Sequence, residues 1–352
     1  MEKQYACWLT LNRQCNLRCK WCYAQETSYR KSDTIDLKLA YSLIDLAKSI
    51  NIHHITLIGG EPTLYPSSES IIKYIHNLKM TCGIVTNGVL FSDYSFAKHY
   101  KDLGIDNIGL SLKGHSSKSF YETTKTYKYL NCLKAINNLV KLKLPFTVSI
   151  VLTPDNINSF ILGVKDAIRN GAKLFSFSFE FDFNENKYVQ DEDFLKVFNL
   201  ISCFYKQYDE LCSVTQDRFI FHQTLPLCIW DENFLNRLKE KQQLFTGCQL
   251  TQKNGIIFNT NGDLLVCNAL FNYPLAKYNI DFKDKTSFKQ FLNDKNTLEL
   301  YERLCSAPSH ICDNCRLWTK CGGGCISNWR HYSLEKLLIA HKKYHNLKFS
   351  TT

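Results

Sequence analysis

Along the first half of the chain, short runs with an apolar residue at every second position alternate with longer stretches carrying one every three or four. The two-residue period predicts strands over 5–11, 54–58, 81–86, 107–112, 146–153 and 175–183. The helical period predicts helices over 37–49, 67–77, 94–102, 129–142, 159–170 and 191–208, with Gly171 placed to close the fifth. Strand and helix in regular alternation predict an α/β fold with a parallel sheet and helices outside. Six such units make a partial (β/α)6 barrel of the TIM type.

The faces of these strands carry more information than their existence. Phe175, Phe177, Phe179, Phe181 and Phe183 share one face, and Ser176, Ser178, Glu180 and Asp182 the other. Val148, Ile150 and Leu152 likewise oppose Ser149, Val151 and Thr153, and Ile108 and Leu110 oppose Asn107, Gly109 and Ser111. A closed eight-stranded barrel fills its lumen with bulky apolar side chains. Here the apolar faces are expected on the helices, leaving a polar lumen suited to a polar ligand. Beyond about residue 225 long periodic segments become rare, so the expected division is 1–220 for the barrel, 221–330 for a small cysteine-rich domain and 331–352 for a basic tail.

Composition refines this picture in two places. At 352 residues with 45% apolar and 22% charged types, the chain is ordinary for a globular protein. No run approaches the ~18 apolar residues of a membrane span, and the amino terminus lacks the features of a secretory signal, so a cytoplasmic protein is expected, with no membrane partner. The formal charge of +10 favours an acidic partner. No cluster of Lys and Arg interleaved with aromatics supports nucleic acid as that partner.

Sixteen cysteines are the second departure. In a large intracellular chain they point to metal or redox chemistry instead of disulfides. Cys15, Cys19 and Cys22 form a C-x3-C-x2-C loop directly after the first strand. Three thiolates there can bind three irons of a [4Fe–4S] cluster and leave the fourth iron open, whereas a structural zinc site wants four ligands and no His lies in the loop. Gly59, Gly60, Glu61 and Pro62 follow the second strand; the glycines allow close backbone approach and Glu61 can accept a charge-assisted hydrogen bond. Thr86, Asn87 and Gly88 follow the third, and Ser111, Leu112, Lys113 and Gly114 end the fourth. Ligands of open α/β sheets bind at these carboxyl ends.

In this order, and with Trp21 just before the third cysteine, the motifs resemble those of the radical S-adenosylmethionine (radical SAM) enzymes over about residues 5–183. The resemblance implies that the cysteine loop holds the [4Fe–4S] cluster and that Trp21, Gly59, Gly60, Glu61, Pro62, Asn87, Ser111 and Lys113 bind S-adenosyl-L-methionine. Lys113 stands where relatives often carry Asp. It further implies reductive cleavage of that cofactor to a 5′-deoxyadenosyl radical, which abstracts hydrogen from an unreactive carbon, with a reductant such as flavodoxin or ferredoxin.

Farther along, Cys248 and Cys267 bracket a Gly262, and Cys312, Cys315, Cys321 and Cys325 are spaced C-x2-C-x5-C-x3-C. A zinc ribbon is one reading. The pattern resembles the SPASM extension of radical SAM enzymes, which implies two auxiliary [4Fe–4S] clusters, one on Cys248, Cys267 and Cys325 and the other on Cys312, Cys315 and Cys321. The extension's final cysteine is missing; Cys305 is a candidate substitute, and Cys228 a candidate to complete the first of these clusters. Cys7, Cys82, Cys132, Cys203 and Cys212 read as small buried apolar residues.

Within that family the resemblance leaves two reactions. Sulfatase-maturing (formylglycine-generating) enzymes carry a basic Asp after the cysteine of the G-x4-C segment; here that position is Asn268, which takes no proton at neutral pH. The expectation is therefore a maturase that installs a C–C, ether or thioether crosslink on a ribosomally made precursor peptide. Glu180 and Asp182 are its candidate acid–base residues. With Cys15 so near the start, recognition of a precursor, acidic in keeping with the chain's charge, is expected to fall to the basic carboxyl-terminal region, a barrel face or a separate leader-binding protein. A non-catalytic iron–sulfur or zinc interaction protein is the reading from another class, which the open cysteine loop followed by Gly59–Pro62 argues against.

Overall fold

The computed structural model describes residues 5–22, 33–180, 189, 191–270 and 273–349. The first strands fall where the alternation places them: β1 Ala6–Thr10, β2 His54–Ile58, β3 Thr81–Thr86, β4 Asn107–Ser111, β5 Phe146–Leu152 and β6 Phe175–Phe179. Phe181, Asp182 and Phe183 lie outside the described residues. Between them run α1 Leu37–Ser49, α2 Ser68–Asn77, α3 Tyr94–Asp102, α4 Ser117–Thr124, α5 Tyr129–Lys141 and α6 Phe160–Arg169. Asp36 and Asp93 start α1 and α3 by accepting amide hydrogen bonds of the first turn, which the sequence signals only as an acid before an apolar run. The short α4 was not expected.

β1 to β6 pair in chain order, all parallel. The sheet then continues past the six predicted strands. β7 (Phe219–His222) adds in parallel to β6, and β8 (Leu244–Phe245) to β7. The boundary expected between residues 220 and 221 falls inside β7, and backbone pairing carries the parallel sheet on to Phe245. On the opposite side β9 (Gly255–Phe258) pairs in parallel with β1, followed by antiparallel β10 (Leu264–Leu265) and β11 (Pro274–Ala276). The described sheet is thus open, with β8 and β11 as its two edges. The polar-inside alternation holds: Phe175, Phe177 and Phe179 are buried on the helices while Ser176 and Ser178 are half-buried, and Ser149 and Ser176 hydrogen-bond across the lumen face at 2.7 Å.

The core is continuous from β1 to the carboxyl-terminal region. Its aromatic centre lies where α7 (Asp191–Thr215) crosses β6 and β7, with α8 (Glu232–Glu240) closing over it. Phe204 of α7 is fully buried and meets Phe179, Phe221 and Phe234 at centroid separations of 5.6, 5.0 and 5.9 Å. Cys7, Cys82, Cys132 and Cys212 are buried, and Cys203 is partly so. Chain beyond residue 331 is not a tail. Leu334–Phe349 form a helix that packs on α7, with the Tyr344 hydroxyl donating to Asn199 Oδ1 at 2.9 Å and the ring 5.3 Å from Phe198. Among the described residues, no helix is long and apolar enough to cross a membrane.

Phe204→Ala removes a ring around which two strands and two helices meet. It should lower stability by about 3–5 kcal/mol, read as a shift in the urea unfolding midpoint. A shift within the scatter of surface substitutions would contradict this placement of the core.

Candidate functional site

The carboxyl ends of β2 and β3 are fastened to each other through a single carboxylate. Glu61 is 1% exposed. Its Oε1 accepts from the Thr63 amide at 3.2 Å, the Thr63 hydroxyl at 2.6 Å and the Thr86 hydroxyl at 2.7 Å, and its Oε2 from the Asn87 amide at 2.8 Å. Burial raises its pKa, and the four donors oppose that rise by favouring the charged form. Glu61 is therefore first a staple between the loops after β2 and β3, with Oε2 the less committed oxygen.

Those loops are tied in turn to the cysteine loop. The Gly60 and Glu61 amides donate to the Asn12 and Gln14 carbonyls at 2.9 and 2.8 Å, and the Asn12 side chain donates to the Glu61 carbonyl at 3.1 Å. A Cβ on Gly59 would lie 2.6 Å from the Asn12 carbonyl, and one on Gly60 2.4 Å from that of Arg13. The glycines are thus required by approach of backbone to backbone, a demand closer at hand than the expected approach to a ligand. Asn87 bridges from the other side, donating through Nδ2 to Asn16 Oδ1 at 2.7 Å with Cys15 Sγ 3.9 Å away. Pro62 opens a short helical turn behind Glu61.

Within the loop, Leu17 is buried, and the Arg18 and Lys20 amides donate to the Thr124 and Thr123 carbonyls at the end of α4. Cys19 is 7% exposed, and Cys15, Cys22 and Trp21 are half-buried. Burial pushes the Cys15 thiol up to about 12, the Leu17 amide opposes it, and Glu61, Cys19 and Cys22 add to the rise. Burial also raises Cys19, with the Lys113 ammonium pulling it down and Cys22 pushing it up. The three thiols therefore lie within electrostatic reach of one another, and Cys19 within that of Lys113. Binding of a positive centre would favour deprotonation of Cys15 and Cys19.

Four buried polar side-chain atoms near the carboxyl ends of the strands have no partner. Thr10 Oγ1, Asn12 Oδ1 and Thr153 Oγ1 are buried and make no hydrogen bond, as does His115 Nδ1 after β4. Orphaned groups of this kind call for a polar occupant. Together with the thiol trio they fit a polar cofactor bound over an iron–sulfur cluster at the carboxyl ends of the strands. Ser111, at the end of β4, is half-buried on the same side.

The carboxyl-terminal cysteines form two groups. Cys248, Cys267 and Cys305 border one apolar cluster made by Leu250, Val266, Leu270 and Tyr301, with Ile326, next to Cys325, packed on it. Cys325 is raised chiefly by burial and also by the charges of Glu180 and Cys248. Glu180, exposed just after β6, is thus within electrostatic reach of Cys325; Asp182 lies outside the described residues. Cys312, Cys315 and Cys321 form the second group, and here Cys228 departs from expectation. It sits with Cys321, Cys312 and Cys315, whose charges add to the burial that lifts its thiol to about 12, and not with Cys248. Cys228 is exposed, although protein surrounds the thiol closely enough to raise it. Among the described residues, no three His, Cys, Asp or Glu side chains converge on one ion. That holds for Cys15, Cys19 and Cys22 as well; in a cubane each thiolate binds a different iron.

Sequence reasoning missed Arg13 and Asn12. Arg13 is 2% exposed, and its Nη2 donates to Asn259 Oδ1 at 2.6 Å, joining the cysteine loop to the end of β9. The available signal was a polar pair where the apolar alternation of β1 stops. Glu61→Gln should destabilise the protein by about 1–3 kcal/mol, because an amide must turn its NH2 toward a donor on one side or the other. Faster hydrogen exchange at the Asn87 amide would accompany it; an unchanged midpoint and exchange rate would remove Glu61 from this role.

Residues 9–162 match the Radical SAM superfamily. Fe-coproporphyrin III synthase of Methanosarcina barkeri is 33% identical over 113 residues, which is 32% of this chain but only 28% of that protein. Among solved structures, Streptococcus suis SuiB bound to precursor peptide SuiA aligns with a TM-score of 0.69 at 18% identity, covering 95% of this chain and 74% of that one. Native anSMEcpe with bound AdoMet aligns with the same score at 16% identity, covering 98% and 97%. Those two likenesses establish a shared fold over nearly the whole chain. With the thiol trio, the stapled strand ends and the family match in one place, the chain carries a radical SAM domain over residues 9–162, of a superfamily that uses S-adenosylmethionine and a [4Fe–4S] cluster.

Proposed function

We propose that this enzyme oxidatively modifies a ribosomally made precursor peptide, forming a C–C, ether or thioether crosslink. The observation that carries the reading is the likeness, over 95% of this chain, to SuiB bound to a precursor peptide. A chain that shares this architecture through its cysteine-rich end shares more than a cofactor site.

Cys15, Cys19 and Cys22 would hold the [4Fe–4S] cluster, and S-adenosylmethionine bound there would supply a 5′-deoxyadenosyl radical. The rest falls to the chain's own side chains. Glu61 and Asn87 fix the loops around the cofactor, and Lys113 offers its ammonium to a carboxylate beside Cys19. The half-buried Ser111, Ser149, Ser176 and Ser178 line the lumen with groups that bind without reacting. Glu180, at the mouth, accepts the proton that a substrate carbon or heteroatom releases as the new bond forms. The crosslink removes two hydrogens from the peptide, one as a hydrogen atom to carbon and one as a proton and an electron. An acceptor for that electron is needed, and the two carboxyl-terminal cysteine groups supply candidate clusters.

Asn268 supports this reading over sulfatase maturation. Its Oδ1 is buried without a hydrogen-bond partner, in the place where that reaction wants an ionisable base. A groove of about 470 Å3 beside Cys305 and Cys325, lined by Arg303, Ile326, Trp329, His331, Tyr332 and Lys336, supports an acidic peptide partner. Cationic and aromatic side chains together suit a carboxylate-bearing chain.

Incubation of the reconstituted enzyme with dithionite, S-adenosylmethionine and a precursor encoded beside its gene should give 5′-deoxyadenosine and a peptide lighter by two hydrogens. Formation of 5′-deoxyadenosine with no change in any such peptide, alongside formylglycine in a sulfatase peptide, would replace this reading with the other. Precursor affinity should fall as salt is raised, because solvent-exposed charge pairs are screened over about 10 Å at 0.1 M ionic strength. Affinity indifferent to salt would remove the basic groove from precursor binding.

A further inference from the structure

The spaced run Cys312, Cys315, Cys321 and Cys325 leaves each carboxyl-terminal group one thiolate short of the four that a closed cubane takes. No cysteine follows Cys325 in the chain. The structure brings a fourth thiol to each group from upstream of the run.

Cys228 lies in a one-turn helix, Leu227–Ile229, just after β7. The amide of its neighbour Leu227 donates to Cys321 Sγ at 3.2 Å. Gln223, just after β7, donates through Nε2 to the Cys321 carbonyl at 2.9 Å, with Cys321 Sγ at 3.6 Å. Amide donors aimed at a sulfur are the contacts that a cluster thiolate accepts and that tune its potential. The segment is locked in register with the run by two further bonds, the Cys325 amide and the Asn328 side chain both donating to the Thr224 carbonyl at 2.9 Å. Gly324 lets the two backbones meet, since a Cβ there would stand 2.8 Å from the Leu225 carbonyl carbon. Cys305, at the end of the helix Lys295–Leu304, borders the same apolar cluster as Cys248 and Cys267, and its thiol points to the Leu250 carbonyl at 3.5 Å.

We propose that Cys228 is the fourth ligand of the cluster held by Cys312, Cys315 and Cys321, and Cys305 that of the cluster held by Cys248, Cys267 and Cys325. Both quartets are then closed without a downstream cysteine. The ligand on Cys228 comes from the barrel itself, so filling that cluster fastens the cysteine-rich region to the end of β7. This inference rests on the cysteines holding iron–sulfur clusters, but not on the identity of the peptide reaction.

Two measurements test it. In the first, the full chain is alkylated with iodoacetamide under oxygen-free conditions before and after reconstitution, and the peptides are mapped by mass. Cys228 and Cys305 should react in the metal-free protein and lose that reactivity once iron and sulfide are bound, while labelling of Cys203 stays as it was. In the second, Cys228→Ser and Cys305→Ser are reconstituted separately. Each should lose, or shift in its electron paramagnetic resonance signal, one cluster of about four irons, a different one in each variant. Wild-type protein that binds about twelve irons while Cys228 and Cys305 remain fully reactive would overturn the assignment but leave the clusters standing. Wild-type protein that takes up zinc and no iron would overturn the cluster reading and this one with it.

Discussion

A buried carboxylate with four donors organises the catalytic end of this protein. Parallel strands deliver their carboxyl ends to a common face, but nothing in strand pairing fixes the loops that leave them. Glu61 supplies that constraint by joining the loops after β2 and β3, while the backbone of the same segment pairs with Asn12 and Gln14 at the base of the cysteine loop. A carboxyl group is tolerated there because its donors replace water, so the loops and the carboxyl hold each other in place. The position of Cys15 follows from that arrangement.

The repeating part of the fold was legible because each of its strands carries its own evidence. Phe175–Phe179 show the face of β6 in five residues, and the polar side of that alternation is the lumen in which Ser149 meets Ser176. β8 and β9 were not legible for the opposite reason. Leu244–Phe245 is too short to show a period, and Gly255–Phe258 reads as a short apolar run that gives no hint of pairing in parallel with β1. Pairing across some 250 positions is a property of the closed chain and leaves no local trace. The final helix reads as a tail because its charge dominates its composition, although Leu334, Leu337 and Ala340 are buried and Tyr344 bonds Asn199 of α7.

The site divides along the same line. The cysteine loop, Gly59–Pro62 and Asn87 announce themselves by spacing, and their neighbours in space are close in strand order. Cys228 gave no such sign, since its partners stand 84 or more positions away and only the fold shows which group it joins. Arg13 and Asn259 are a similar pair. The glycines were recognised for their backbone freedom, but the bodies they avoid, the Asn12 and Arg13 carbonyls, belong to another loop. Spacing reveals what one segment can bind; it does not reveal which second segment completes the set.

These long-range links converge on one end of the sheet. Arg13 ties the cysteine loop to the end of β9, Thr224 and Gln223 tie the end of β7 to Cys325 and Cys321, and the Thr224 hydroxyl donates to the Phe179 carbonyl at the end of β6. The cysteine-rich region is thus an extension of the catalytic face and not an appendage to the far side. Glu180 makes the point sharply, because it directly follows the sixth strand and lies within electrostatic reach of Cys325. A peptide residue held over the barrel mouth would touch both the lumen and this border. The proposed chemistry takes a hydrogen atom on one side and an electron on the other and would use that adjacency, which β1 to β9 supply by turning their carboxyl ends the same way.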